Sequence, residues 1–248
     1  MPTIKLPDGK NISFSKKVTG LEVAKKISKS LSKQALIISI DGELKDLNYL
    51  IDKDCSIKII TSKDNEGLKT IRHDTAHILA MAAQEIFPGT QVTIGPVIEN
   101  GFYYDVQMEH KLTEEDLATI ENEMKKIIKE RLPIERKVME KQEAIDFFKE
   151  QGQELPVELI NSFAEGEEIS CYGQGEFIDL CRGPHIPSAG AVGAYKLLSV
   201  AGAYWKGDSN NKQLQRVYGT AFFNKEDLAE HLILIEEAKR RDHRTLGK

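Results

Sequence analysis

Hydrophobic and polar positions alternate at the start of the chain in the manner of a β-hairpin. Segments 3–6 and 11–14 favour extended structure, and Pro7-Asp8-Gly9-Lys10 between them is a turn signal. Apolar residues at helical spacing then predict a helix that begins at residue 19 or 20 and ends near residue 31.

Two apolar runs later in the same region are predicted to be strands. They cover 35–40, which the turn Asp41-Gly42 follows, and 56–61. A hairpin, a helix and further strands within residues 1–62 predict a small domain of the β-grasp type. The polar stretch 63–67 is the predicted hinge to the next domain.

The remainder of the chain mixes helical and extended patterns. Helices are predicted over 68–87, 113–131, 140–151 and 224–241, and strands over 91–105 and, as short pieces between Gly-rich turns, over 177–219. The predicted fold class is α+β: a small β-grasp domain followed by a larger two-layer α/β domain with a mostly antiparallel sheet.

Composition places the chain among ordinary globular proteins. Of its 248 residues, 40% are hydrophobic and 29% are charged, and no apolar run approaches the ~18 residues that a membrane span needs. The N-terminus has no apolar segment typical of a signal peptide. Three cysteines without a CxxC pair argue against a disulfide framework, so we expect a cytoplasmic protein with no membrane partner.

Charge is distributed unevenly along the chain. The net charge is −5, yet residues 1–62 contain 11 Lys against 7 Asp and Glu. An acidic chain argues against indiscriminate nucleic-acid binding but leaves room for local basic strips. Basic and aromatic residues interleave over 194–218, a pattern that suits nucleic-acid contact but is more often a set of core aromatics with solvated lysines.

Two histidines stand four residues apart in His73-Asp74-Thr75-Ala76-His77. Side chains at this spacing share a helix face, so the two imidazoles can hold one metal ion or one reacting water. The spacing is that of the HExxH metalloproteases, with Asp74 in the place of their Glu base. Two histidines without a shared role are an equal alternative on this segment alone.

A second cluster lies about a hundred residues later, where Cys181 and His185 are also four apart. Gly183-Pro184 argues against a helix there, but a bent loop can bring both side chains to one point. Imidazole and thiolate are preferred zinc ligands, and the same groups can act without metal as bases and donors around a water. Cys181 alone would be interpreted as a small buried hydrophobic residue.

Several segments together carry a family resemblance over essentially the whole chain. They are RHDTAHILAMAAQEIFP, IGPVIENGFYYDV, DLCRGPHIPS, KLLSVAGAYWKGDSNNKQLQRVYGTAF and EEAKRRDHRTLGK. The chain resembles the N-terminal half of bacterial threonyl-tRNA synthetases. The resemblance implies a TGS domain at 1–62, an editing domain at 63–224 and, at 225–248, a linker helix toward the aminoacylation module.

The resemblance also implies an activity, the post-transfer editing of tRNA(Thr) that carries serine by mistake. The chain is then an aminoacyl-tRNA deacylase whose pocket is formed by His73, His77, Cys181 and His185. Gly95, Tyr104 and Asp179 are the implied substrate-binding residues. Serine differs from threonine by one methyl group, which supplies only about 1–3 kcal/mol of discrimination, and a second hydrolytic site corrects the errors.

Cofactors and partners follow from the same resemblance. ATP, Mg and a catalytic zinc belong to the aminoacylation module, which is expected after Lys248, so aminoacylation by this chain is not expected. Editing itself requires no cofactor, although zinc on the same His and Cys residues is an alternative. The expected partner is tRNA(Thr), and the chain is expected to be a monomer whereas the full synthetase dimerises.

One position departs from the family pattern and leaves other interpretations open. Pro156 stands where the family has a lysine that contributes to the editing pocket, so either Lys149 or Lys196 supplies the charge or editing is weak. The alternatives are a non-catalytic tRNA-binding module with a disabled pocket and, less favoured, a zinc-dependent peptidase or amidase built on the histidine pair.

Overall fold

The N-terminal domain is built on a five-stranded sheet in the computed structural model, which describes residues 1–246, with side chains through residue 241. Its elements are β1 (Thr3–Lys5), β2 (Asn11–Ser13), β3 (Val18–Thr19), α1 (Gly20–Ile27), α2 (Lys29–Gln34), β4 (Ile37–Ile40), β5 (Glu43–Asp46), β6 (Leu50–Ile51) and β7 (Cys55–Ile60). The sheet has the order β2-β1-β7-β4-β5, while β3 and β6 pair separately. Apolar residues of α1 and of the sheet form one core, which confirms the predicted β-grasp unit.

The predicted helix over 19–31 is wrong in its length. Thr19 begins α1 with a capping box, as expected, but the helix ends at Ile27. Ser28 is extended and its side chain accepts the Leu31 N–H, so that it begins the separate helix α2. Serine competes with the helical backbone for hydrogen bonds in this way, and apolar spacing does not report it.

The larger region follows a long helix. Its elements are α3 (Asn65–Ile86), β8 (Gln91–Val92), β9 (Val97–Ile98), β10 (Gly101–Gln107), α4 (Glu114–Glu130), β11 (Glu135–Met139), α5 (Lys141–Glu150), α6 (Glu154–Asn161), β12 (Ile169–Gln174), β13 (Phe177–Leu180), β14 (Ala194–Tyr204), β15 (Gln213–Phe222) and α7 (Lys225–Leu246). Residues 247–248 of the predicted linker lie outside the described residues.

Two antiparallel sheets organise this region. One has the order β14-β15-β10-β8, with β9 also paired to β10, and the other has the order β11-β12-β13. Helices α3 and α4 pack on the first sheet, around a core that includes Ile71, Phe102 and Ile120. Among the described strands, β1 and β7 form the one parallel pair, so the α+β class with mostly antiparallel sheets is confirmed.

Side-chain caps lie at the starts of two of the predicted helices. Thr113 and Asp116 form a capping box at α4, and Oδ1 of Asn224 accepts the Asp227 N–H at the start of α7. The predicted helices over 68–87 and 140–151 correspond to α3 and α5.

Other expectations for this region are wrong. In place of short strands over 177–219, β14 and β15 form a hairpin whose strands are 11 and 10 residues long. Helix α6 and the strands β11 and β12 were not predicted. The five residues of β11 are nearly all exposed, so their sequence shows no apolar alternation. No described helix has both the length and the apolar character that crossing a membrane requires.

Candidate active site

Helix α3 presents two histidines on one face. His73 is half-buried, and His77 is only 9% exposed. Their ring centroids are 4.7 Å apart, the distance expected of side chains on successive turns. Most of this helix is buried against the first sheet, which holds both imidazoles in place.

The loop that follows β13 brings the second pair to the same point. Cys181 and His185 lie in an irregular segment, as the Gly183-Pro184 sequence indicated. The Cys181 Sγ atom lies 3.1 Å from Nε2 of His73 and 3.2 Å from Nε2 of His185. One nitrogen or sulfur atom from each of the residues His73, His77, Cys181 and His185 lies within 4.8 Å of the others. We call these four residues the His/Cys cluster.

Two buried carboxylates orient the imidazoles of the cluster. Nδ1 of His185 lies 2.6 Å from Oδ1 of Asp74, and Nδ1 of His77 lies 2.7 Å from Oδ2 of Asp179. Asp74 also accepts the Ile186 N–H at 3.1 Å. Nε2 of His77 is buried and has no hydrogen-bond partner among the described residues. A carboxylate on Nδ1 fixes the tautomer and leaves Nε2 for chemistry or for a ligand.

Electrostatics favour a thiolate beside charged imidazoles. Burial alone would raise the pKa of Cys181, but the charge of His77 and hydrogen bonds from His185 and His73 lower it to about 2. Burial alone would lower the pKa of His185, but the Asp74 carboxylate and Cys181 raise it to about 9. The pKa of His77 is likewise raised, against burial, by Asp179 and Cys181.

A cavity of about 280 Å³ opens against the cluster. His73, His77 and Cys181 form part of its wall, whereas His185 is buried behind them. The side chains of α6 and of the following turn, Leu159 and Phe163, supply an apolar wall.

The predicted substrate-binding residues fall in two places. Gly95 lies on the cavity wall. Tyr104 and Asp179 are fully buried behind His77, and the Tyr104 hydroxyl donates to Asp179 at 2.6 Å. A Cβ atom on Gly95 would lie 2.5 Å from the Tyr104 ring, so only glycine permits this close approach. Tyr104 therefore shapes the cavity from behind.

The residue that departs from the family pattern, Pro156, lies in helix α6. Pro156 is buried in the first turn of α6, where a proline is tolerated, one turn before Leu159. Lys149 is exposed, and Lys196 pairs with Glu121 at 2.9 Å, so neither lies on the wall. The cation on the wall is Arg182.

Three of the four basic residues in the β14–β15 strip pair with carboxylates, and the fourth, Lys206, lies over the Trp205 ring. Lys196 pairs with Glu121, Lys212 pairs with Glu154 and Glu158, and Arg216 pairs with Asp105. Trp205 is buried, and its Nε1–H donates to Glu158 at 3.0 Å. These contacts favour the interpretation of the strip as part of the protein's own packing over its interpretation as a nucleic-acid contact surface.

Sequence reasoning missed residues that support the site from a distance. The sequence marks Asp74 only by its place in the histidine motif, and it does not mark Leu159, Phe163 or Asp46 as site residues. No local pattern marks them, because α6 and the N-terminal domain reach the site only through the tertiary fold.

Comparison with known proteins identifies two domains and a set of relatives. The TGS domain model matches residues 2–61, and the model described as "Threonyl and Alanyl tRNA synthetase second additional domain" matches residues 169–218. The proteins named threonine–tRNA ligase of Pelagibacter ubique, Oceanobacillus iheyensis and Marinobacter nauticus are 61%, 54% and 52% identical to the chain. These matches cover at least 99% of the chain and 38–39% of the relatives, so the chain spans about two fifths of the length of these curated relatives.

Proposed function

Because the chain corresponds to the N-terminal 39% of bacterial threonine–tRNA ligases, we propose that it is their editing part and hydrolyses tRNA(Thr) mischarged with serine. The chain then acts as an aminoacyl-tRNA deacylase, with tRNA(Thr) as its partner. The observation that carries the proposal is the His/Cys cluster on the wall of a cavity of about 280 Å³. That volume is close to the ~300 Å³ at which small-molecule sites begin.

His73 is the general base of the proposed reaction. It is half-buried and lies on the cavity wall. Its Nε2 is engaged by Cys181, so Nδ1 takes the proton, whereas both ring nitrogens of His185 are engaged, by Asp74 and by Cys181. In hydrolysis, His73 takes a proton from water while the water oxygen bonds to the ester carbonyl carbon. The bond from that carbon to the ribose oxygen then breaks, and the ribose oxygen takes the proton from His73. The products are serine and tRNA with a free terminal hydroxyl.

Cys181 has an electrostatic role in this scheme. Its low pKa makes the sulfur negatively charged near neutral pH, and the serine ammonium is positive. Opposite charges within a partly buried site attract strongly, so the thiolate binds the amino group and orients the ester toward His73. His185 and Asp74 hold the sulfur in place.

Exclusion of threonine requires that the wall of the cavity is rigid. Gly95 is in contact with the Tyr104 ring, and Asp179 holds the Tyr104 hydroxyl. This packed arrangement resists the expansion that an additional methyl group would require. The same contacts therefore support a site that admits serine and excludes threonine.

A zinc-bound form of the same site is the second candidate. His77 has a buried Nε2 without a hydrogen-bond partner among the described residues, and carboxylates occupy Nδ1 of His77 and His185, as is usual for zinc-binding histidines. The donor set fits zinc, which His73, His77, Cys181 and His185 would hold. If three of these four residues held the zinc, its fourth position would be open to a water, whose pKa the metal would lower. Metal analysis of the purified chain, with hydrolysis measured after chelation, decides between the two forms.

A three-substrate assay tests the proposal. The chain is incubated with Ser-tRNA(Thr), Thr-tRNA(Thr) and a generic peptide. Selective deacylation of Ser-tRNA(Thr) is expected. Binding of tRNA without turnover would favour a non-catalytic tRNA-binding module, and peptide cleavage would favour a metal-dependent peptidase.

A further inference from the structure

We propose that Asp46, in the N-terminal β-grasp domain, is a positioning residue for His185 and couples that domain to the His/Cys cluster. Asp46 is the last residue of β5. Its Oδ1 accepts the backbone N–H of His185 at 2.9 Å, and its Oδ2 accepts the Tyr172 hydroxyl at 2.9 Å. The catalytic consequence rests on the proposed function.

The carboxylate of Asp46 connects three separate parts of the chain. His185 is 139 residues away, in the loop after β13, and Tyr172 is 126 residues away, in β12. The Tyr172 ring also packs on the His185 ring, with centroids 4.0 Å apart. One carboxylate therefore fixes the His185 backbone and the side chain against which its ring rests.

The donors that face Asp46 are buried, although Asp46 itself is half-buried. His185 is 3% exposed and Tyr172 is 4% exposed. Without the carboxylate, the His185 N–H and the Tyr172 hydroxyl, which belong to two buried residues, would each lose a hydrogen-bond partner, which is unfavourable. The loop would relax to satisfy them.

Such relaxation would act on the reacting groups through His185. The N–H of this residue is held from the N-terminal domain by Asp46, while its ring is held from α3 by Asp74. Its Nε2 lies 3.2 Å from the Cys181 sulfur, and the same sulfur lies 3.1 Å from His73. A shift of the His185 backbone therefore also displaces the Cys181 sulfur, which contacts the general base His73. Asp46 is not part of the cavity wall, so its effect is one of position.

Kinetics of the full chain test this role. Asp46→Ala should reduce the single-turnover rate at saturating Ser-tRNA(Thr) by about 10–100-fold, because displacements near 1 Å can have effects of this size. KM should change little, since Asp46 does not touch the substrate. The rate of Asp46→Asn should lie between those of the wild type and Asp46→Ala, because its amide oxygen still accepts one hydrogen bond. The matched control is Asp52→Ala, which removes an exposed ion pair to Lys17 in the same domain and should leave the rate unchanged.

Amide hydrogen exchange gives a readout that does not depend on catalysis. The peptide covering residues 181–188 should exchange faster in Asp46→Ala than in the wild type or in Asp52→Ala. Unchanged exchange in this peptide, or a lower melting temperature with an unchanged rate, would overturn the role of Asp46. If Asp46→Ala does not fold, the rate and the exchange of the 181–188 peptide are instead measured in Asp46→Asn and Tyr172→Phe and compared with those of the wild type.

The two proposals fail in different ways. A wild-type chain that does not hydrolyse Ser-tRNA(Thr) contradicts the proposed function. In that case the exchange experiment still decides whether Asp46 holds the loop.

Discussion

His185 and Asp74 form a buried pair in which Nδ1 and Oδ1 are 2.6 Å apart. The Asp74→Asn variant replaces the charged acceptor with a neutral amide, so the protonated His185 ring loses the carboxylate that stabilises it. We expect Ser-tRNA(Thr) hydrolysis to fall by about 10–100-fold, the usual effect of losing a carboxylate behind a functional histidine. The rate is measured by single-turnover deacylation of Ser-tRNA(Thr).

Glu85→Gln is the matched control for this variant. Glu85 is an exposed carboxylate near the end of the same helix, remote from the cavity. Its replacement should leave the rate as it is. Equal rates for Asp74→Asn and the wild type would show that the His185–Asp74 pair has no catalytic role.

The Cys181–His185 pair predicts a pH dependence of stability in the metal-free chain. Cys181 has a folded pKa of about 2 against 9.0 for a free thiol, so its contribution is lost as the pH falls from 9.0. His185 has a folded pKa of about 9 against 6.5 for a free imidazole, so its contribution is lost as the pH rises from 6.5. The two slopes cancel between pH 6.5 and 9, and below pH 6.5 only the loss from Cys181 remains.

Urea unfolding of the wild type and of Cys181→Ser at several pH values tests the direction in which the stability contributed by Cys181 changes with pH. The pKa of His185 is raised chiefly by Asp74, which both proteins retain, so the difference in unfolding free energy between them reports mainly on Cys181 and should already fall from pH 8.5 to pH 7. This difference should shrink further toward pH 5, by on the order of 1 kcal/mol for each pH unit. A difference that grows on acidification would contradict the thiolate–imidazolium pair.

Gly95→Ala tests the wall of the cavity. The added Cβ atom would lie 2.5 Å from the Tyr104 ring and 2.9 Å from Cβ of Ala76. Tyr104 cannot turn away without losing its hydrogen bond to Asp179, so the loop at Gly95 must move. We expect the unfolding free energy to fall by about 1–3 kcal/mol and hydrolysis to slow.

Gly202→Ala is the control for the glycine experiment. The nearest atom to a Cβ there is Nε2 of Gln213 at 4.0 Å, so the substitution meets no obstacle. Chemical denaturation and single-turnover rates are compared for the two variants. Equal behaviour would show that the contact between Gly95 and Tyr104 does not shape the site.

Local patterns were enough to predict much of the fold. Helices α3 and α4 have apolar residues at helical spacing, α4 also has a capping box at its start, and the first hairpin has a turn signal between its strands. The long β14–β15 hairpin was missed because its residues alternate between small, polar and apolar types. Its length is set by pairing between strands, including a register shift near Leu197.

The site was predictable only where its groups share a short motif. His73 and His77 occur together on one helix, and Cys181 and His185 occur together in one loop. Their convergence is a contact across 108 residues, which family resemblance suggested and no local spacing encodes. Asp46 stands 139 residues from its partner, so the structure was needed to find it.

Pro156→Lys tests the departure from the family pattern. Position 156 shares a helix face with Leu159 and with Phe163 just beyond the helix, and both of these line the cavity. A lysine there can extend its ammonium toward the bound amino acid and donate a charge-assisted hydrogen bond. We expect hydrolysis of Ser-tRNA(Thr) to increase by about tenfold or more, since such bonds contribute roughly 1.5–3 kcal/mol and about 1.36 kcal/mol is tenfold in rate.

Pro156→Leu separates the effect of charge from that of removing proline. It keeps an apolar side chain and should hydrolyse Ser-tRNA(Thr) at the wild-type rate. An unchanged rate in Pro156→Lys would mean that the missing amine has no consequence for this site.

The His/Cys cluster is proposed to perform selective deacylation with His73 as its base. The most direct measurement is the single-turnover hydrolysis of Ser-tRNA(Thr) and Thr-tRNA(Thr) by the wild type, by His73→Ala and by His110→Ala. His110 is an exposed histidine that pairs with Asp116, so it serves as the control.

We predict that the wild type and His110→Ala hydrolyse Ser-tRNA(Thr) much faster than Thr-tRNA(Thr). His73→Ala should lose about 100-fold or more of the activity on Ser-tRNA(Thr), within the range for removal of a general base. Equal rates on the two tRNAs would show that the site does not select serine, and a His73→Ala variant as fast as the wild type would show that His73 is not its base.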